Sequence, residues 1–222
     1  METVETIDYK GHEINIVNDL HAGSPRGWDN LGTMICFHKR YSLGDDNHDY
    51  NYEDYSSWDE LKRAILKKED IAVILPIYMY DHSGITIATT PFACRWDSGQ
   101  IGFIFVSKEK VREEYGVKRI TKQILKRVSD YLISEVATYD EYIQGDVYGF
   151  VIDEDGDSCY GFYGYDHETS GLLNEAKASI DYLERCSVCQ RRKKNFIHLC
   201  QNSSMVTEIY GCPEHDDTCP FC

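Results

Sequence analysis

Apolar residues recur at every second position in Ile7 and Tyr9 and again in Ile14 and Ile16, on either side of Gly11. A two-residue period belongs to strands, so residues 4–17 are predicted to form a short hairpin that turns at the glycine. Residues 21–31 carry Gly23, Ser24, Pro25 and Gly27 and read as loop. Thr33 to His38 is a compact apolar run and reads as a buried strand, and 42–56 is a polar loop rich in Asp and Tyr. Ser57 followed by Glu60 forms a capping box, in which each residue satisfies an orphan amide of a starting helix. That helix carries Leu61, Ala64, Ile65 and Leu66 on one side and ends near Asp70. Ile71 to Tyr80 follows as an apolar strand, with Pro76 pointing to an edge or a bulge.

Gly84 to Thr90 and Ile101 to Val106 are predicted as further strands. Ser107 caps a short helix over 108–115 that Gly116 closes. In the long segment from Lys122 to Ile143, Ile124, Leu125, Val128, Tyr131, Leu132, Val136 and Tyr139 share one helical stripe, expected to pack in the core. Gly145 stops it. Val147 to Ile152 and Cys159 to Tyr165 flank an Asp-Gly dipeptide and read as a hairpin. A last helix covers 172–184. Strands and helices mix without a βαβ repeat, which predicts an α+β fold with a mixed or antiparallel sheet and about four helices.

Composition divides this chain in two. Of 222 residues, 23 are Lys or Arg and 38 are Asp or Glu, a net charge of −15. Residues 186–222 hold four bases and four acids, so the whole excess lies in 1–185. Six of the nine cysteines lie in the other part, 186–222. The expected organisation is therefore an acidic α+β domain over 1–185 followed by a Cys/His-rich module over 186–222. Nucleic-acid affinity comes mainly from Lys and Arg on phosphates, so the acidic domain is not expected to bind it directly. No apolar run approaches the length of a membrane span. The acidic start, Met1-Glu2-Thr3-Val4-Glu5, is unlike a secretion signal, and a reducing cytoplasmic setting is expected.

Acids concentrate in two stretches, Asp45, Asp46, Asp49, Glu53, Asp54, Asp59 and Glu60, then Asp140, Glu141, Asp146, Asp153, Glu154, Asp155 and Asp157. Such a surface either keeps the protein solvated or imitates a row of phosphates before a basic partner. Asp153, Asp155 and Asp157 open like an EF-hand. The pattern then fails, with Ser158 in place of the glycine and Gly164 in place of the bidentate glutamate, which leaves an acidic turn. Cys36 and His38 alternate along one strand and, with Asp45 or Asp29, are weak candidates for Cys–His catalysis. Asp81-His82 with Cys94 is a second such pairing. No phosphate-binding glycine loop, nucleophile elbow or His-Glu-x-x-His helix is present. Arg95-Trp96-Asp97-Ser98-Gly99-Gln100, between two strands, is a candidate contact loop, Arg95 and Trp96 foremost.

Clustered cysteines in a reducing compartment read as metal ligands. The pairs Cys186/Cys189, His198/Cys200, Cys212/His215 and Cys219/Cys222 supply eight ligands. The outer pairs are Cys-x-x-Cys knuckles, whose tight turn directs two sulfurs at one ion. One or two zinc ions are expected. The inventory resembles two-zinc cross-braced or treble-clef modules, although the ligand order departs from a RING pattern. Four closed thiolates leave no open coordination position, so the zinc is expected to be structural. Arg191-Arg192-Lys193-Lys194 makes contact with nucleic acid conceivable for this module alone.

Trp28-Asp29-Asn30-Leu31-Gly32-Thr33-Met34-Ile35-Cys36-Phe37-His38-Lys39-Arg40-Tyr41-Ser42-Leu43-Gly44-Asp45, with Ser83 through Gly116 and Gly145 through Tyr165, resembles a family of uncharacterised small proteins encoded by tailed bacteriophages. The resemblance covers most of residues 20–180 and omits the cysteine module. It implies synthesis in the bacterial host cytoplasm and carries no catalytic residue. The expected function is an accessory protein that inhibits or modulates a host protein, of defence or nucleic-acid handling, through its acidic surface. The rivals are a Cys/His-dependent hydrolase and a nucleic-acid-associated regulator acting through the zinc module. Elemental analysis of protein purified without chelator is expected to find at least one zinc per chain, and a value below one removes the module.

Overall fold

The computed structural model describes residues 3–153, 156–183, 197–199 and 208–210. They form an α+β fold with four α-helices and antiparallel sheets. The chain through Leu183 divides into two compact units, each with its own sheet and core. The module boundary expected at residue 185 lies outside the described residues.

The first unit gathers the N-terminal hairpin, a second hairpin and the last helix. Strands β1 (Thr3–Tyr9) and β2 (His12–Asn18) pair antiparallel, with Ile7 opposite Ile14. Lys10 and Gly11 form the turn with φ of 58° and 83°, the pair of positive angles a two-residue hairpin needs. β7 (Val147–Ile152) returns beside β2, and β8 (Ser158–Tyr163) lies outside it. Ile14, Ile16, Phe150 and Ile152 alternate onto one face and pack against Leu172, Leu173, Ala176 and Ile180 of helix α4 (Leu172–Leu183). Asp155 of the expected Asp-Gly turn between β7 and β8 lies outside the described residues. The Ile152 N–H donates to the Asp157 carbonyl at 2.9 Å, and a positive φ of 52° falls on Asp153.

The second unit is a sheet sandwiched between helices. Its strands run β3 (Thr33–Cys36), β6 (Ser98–Ser107), β4 (Ile71–Asp81) and β5 (Ile85–Ala88) in spatial order, all antiparallel. Met34, Ile77, Ile104 and Val106 face helix α3 (Lys122–Gln144), which buries Val128, Leu132, Val136 and Tyr139 against them. Ile35, Phe103 and Phe105 face the other way, onto Leu61 and Ile65 of helix α1 (Trp58–Lys68). Helix α2 (Lys108–Glu114) follows β6 and starts at its Ser107 cap. Pro76 pairs opposite Phe103, where β5, which covers only Tyr78–Asp81, does not reach. Its missing N–H therefore interrupts no ladder. The α1 cap departs from a capping box by one residue. Ser57 Oγ accepts from Glu60 N, but the Glu60 carboxylate accepts from Ser56 N at 2.8 Å.

β6 begins at Ser98 instead of Ile101, so half of the expected contact loop is strand. Gly102 lies where β3 crosses it closely. A Cβ there would sit 1.8 Å from the Ile35 carbonyl oxygen, so only glycine permits the pairing. Among the described residues no helix is long and apolar enough to cross a membrane. Ile197–Leu199 and Glu208–Tyr210 form a two-stranded antiparallel pair, β9 and β10.

A buried ionic knot ties the segment before β3 to α3. Arg26 donates through Nε and Nη2 to the two Asp45 carboxylate oxygens at 2.8 and 2.9 Å, and through Nη1 to Glu135 at 3.1 Å. Nη2 also reaches the Gly32 carbonyl at 2.8 Å. Glu135 accepts from Leu31 N at 2.7 Å and Asp45 from Met34 N at 2.8 Å. The Arg26 and Glu135 side chains are only 5% and 6% exposed. Burial opposes the guanidinium charge, but the hydrogen bonds and charges of Asp45 and Glu135 outweigh it and hold Arg26 above its ordinary value. Removing one member of such a group leaves the others buried and uncompensated. Arg26→Met is expected to lower stability by about 3–5 kcal/mol in denaturant unfolding of the full chain, and a loss below about 1 kcal/mol would show the knot to be dispensable.

Candidate functional site

The second unit carries an open groove of about 1370 Å³. Its walls are the chain leaving β3, the loop through His48, the 3₁₀ turn Tyr52–Asp54 and the start of α1. The polar 42–56 loop thus becomes one side of a site. Asn51 Oδ1 caps the turn by accepting from Glu53 N, and this holds Tyr52 outward, 52% exposed. The Tyr52 ring lies 5.7 Å from Phe37 and 5.7 Å from Trp58, inclined by 48° and 49°. Trp58 in turn rests edge-on against Phe103, so the wall is anchored in the core.

The groove is also lined by His38, Lys39 and Arg40. His38 stacks on Tyr41 at 5.1 Å, and its Nδ1 accepts from Arg40 N at 3.4 Å. His48 Nδ1 accepts from Tyr50 N at 3.3 Å. An imidazole that accepts through Nδ1 carries its proton on Nε2, so both rings are donors at that end. Arg40 bonds to Asp81 and lies 5.4 Å from the Tyr41 ring centroid.

Cys36 also lines the groove but is 9% exposed, within the core packed on α3. Burial, reinforced by the Asp45 charge, pushes its thiol up to about 12. A nucleophilic cysteine needs the opposite, an electropositive setting that favours thiolate. Asp45 is engaged by Arg26, and His38 by Tyr41 and its own backbone turn, so no Cys–His–Asp relay is assembled. The second pairing comes together differently from expectation. Cys94 Sγ is 3.7 Å from Asp97, and His82 Nδ1 is 3.4 Å from the same carboxylate, whereas Asp81 pairs with Arg40.

The candidate contact residues are dispersed. Asp45, 20% exposed, commits its two carboxylate oxygens to Arg26 and to Met34 N. Asp46, Glu53 and Asp54 are exposed, and Asp46 and Glu53 line the groove. Asp49 is exposed but holds Lys68 at 2.9 Å, and that hydrogen bond lowers its carboxyl. Asp153 is likewise lowered, by its hydrogen bond with His12, and also accepts from Glu13 N at 2.9 Å. Asp157 is exposed and accepts from Ser158 N. Arg95 is exposed, and Trp96 is 96% exposed, the most open large apolar side chain among the described residues. Glu154, Asp155, Cys186, Cys189, Cys200, Cys212, His215, Cys219 and Cys222 lie outside the described residues. His198 is described only as backbone, opposite Ile209 in the β9–β10 pair. Among the described residues no group of three or more His, Cys, Asp or Glu is placed to hold a metal.

Sequence inspection missed Phe37, Tyr52 and Trp58 as one wall. The available signal was the run of Tyr50, Tyr52, Tyr55 and Trp58 in a segment otherwise polar. It also missed Arg26 and Glu135, whose separation by more than a hundred residues leaves no local pattern. No protein-family model, curated protein or solved structure matches the chain.

A buried, raised thiol has a stability consequence. It favours the folded state fully below its ordinary value of 9.0, and that contribution is lost as the pH climbs towards about 12. Iodoacetamide at mildly alkaline pH is expected to alkylate exposed Cys159 in the folded chain and to spare Cys36, read by peptide mass mapping. Alkylation of Cys36 in folded protein as fast as Cys159 would restore it as a nucleophile.

Proposed function

We propose that the protein is a non-catalytic binding protein of the bacteriophage accessory type, acting in the host cytoplasm through the acidic segment 46–60. Its target is a basic surface of a host protein, one that handles nucleic acid or serves defence. The observation that carries this is the state of the acids in that segment. Asp46, Glu53, Asp54 and Asp59 are exposed, and none has an intramolecular cation among the described residues. Unpaired carboxylates on one segment set up a local negative potential that steers a positive partner and disfavours phosphate. The neutral Cys36 thiol argues against the hydrolase alternative. The resemblance of residues 28–45 to the phage family supplies the cellular context. A C-terminal module holding one or two zinc ions completes the proposed molecule and serves to fold residues 186–222.

The test is affinity capture from bacterial lysate with wild-type protein and with a Glu53→Gln, Asp54→Asn, Asp59→Asn triple variant. A genuine partner is expected to bind the wild type, to weaken about ten-fold in the triple variant and to elute as salt rises. Capture that is equal in both proteins and insensitive to salt overturns the acidic-surface assignment.

A further inference from the structure

The chain holds its own cations in a repeated way. Lys10 lies 4.8 Å from the Tyr9 ring centroid and bonds to Asp181. Lys68 lies 4.9 Å from the Tyr50 ring and bonds to Asp49 at 2.9 Å. Arg40 lies over Tyr41 and bonds to Asp81. In each case an aromatic face supplies attraction through its quadrupole while a carboxylate takes the N–H groups. The groove contains the same two parts beside its own cations, which are Lys39 and Arg40, the latter seated on Tyr41 and bonded to Asp81. Tyr52, between Phe37 and Trp58, presents ring surface to solvent, and the exposed carboxylates of Asp46 and Glu53 line the same groove. Among the described residues no cation lies over any of these three rings.

We propose that this aromatic wall is the seat for an arginine side chain of the protein partner. A guanidinium is planar and weakly hydrated, so it lies against a ring and still extends its fork of N–H donors to carboxylates. An ammonium in an open groove keeps its water and gains less from the rings. The occupant is therefore an arginine-bearing segment, matched in charge to Asp46 and Glu53, and the wall supplies selectivity that diffuse negative potential does not. This inference rests on the acidic-surface reading above and adds a specific contact to it.

Octa-arginine and octa-lysine, dye-labelled and titrated into the full chain by fluorescence anisotropy, separate the two ideas. The arginine peptide is expected to bind about five-fold or more tighter than the lysine peptide. Tyr52→Ala should bring the two together, while Tyr52→Phe, which keeps the ring, should retain the preference. Thermal unfolding of each variant verifies that the half-exposed position leaves the fold intact. Equal binding of both peptides to wild type, or an arginine preference untouched by Tyr52→Ala, overturns the arginine seat. In either case the acidic-surface reading stands if both peptides still weaken with the Glu53, Asp54, Asp59 triple variant. Binding of neither peptide overturns the arginine seat, and the acidic-surface reading is then decided by lysate capture.

Discussion

The Arg26–Asp45–Glu135 knot is the constraint on which the second unit's surface depends. Three charges are withdrawn from water, and each is met by a counter-charge or a backbone group, which is the condition for such burial to be tolerated. Asp45 simultaneously closes on Met34, whose strand supplies one side of the sheet. Glu135 grips the amides of Leu31 and Gly32 from α3. The chain from Pro25 to Asp45 is thereby clamped at both ends around β3. Gly44 takes a φ of 82° just before Asp45, and a Cβ there would meet the Met34 carbonyl at 2.7 Å. The segment that forms the groove's rim, Phe37 to Leu43, is the loop this clamp leaves on the outside.

Around that clamp the molecule uses tyrosine and carboxylate together. A chain with 17 tyrosines and 38 acids brings a ring face and a carboxylate together on Lys10, Arg40 and Lys68. This explains why the net charge of −15 does not describe any one surface. Asp45 is neutralised inside, Asp49 and Asp81 hold Lys68 and Arg40, and the remaining carboxylates of 46–60 face solvent. The potential a surface presents follows from which acids are left over after internal pairing, not from how many there are.

Much of the fold was legible locally. The hairpin at Gly11, the helix started by Ser57, the helix stopped by Gly145 and the buried stripe of Val128, Leu132, Val136 and Tyr139 follow from period and cap chemistry within a few residues, whereas Tyr131 of the expected stripe is 51% exposed. The start of β6 was not, because Ser98, Gly99 and Gln100 have no strand propensity of their own. They are extended because Tyr78, Met79 and Tyr80 lie alongside and need partners. The division of the chain into two units was equally hidden, since the hairpin of β7 and β8 joins strands from the far N-terminus.

The sequence by itself determined the four helices and the position of most strands, where the acids and cysteines cluster, and that the 42–56 loop is polar and aromatic. These are properties of neighbours along the chain, where spacing alone sets the face a residue occupies. Tertiary structure decided that Cys36 is a buried core thiol, that Asp45 is paired with Arg26 and Glu53 faces solvent, and that Phe37, Tyr52 and Trp58 form one wall. Those outcomes depend on desolvation and on pairing between residues up to 109 positions apart, and no local period encodes which acids meet Arg26.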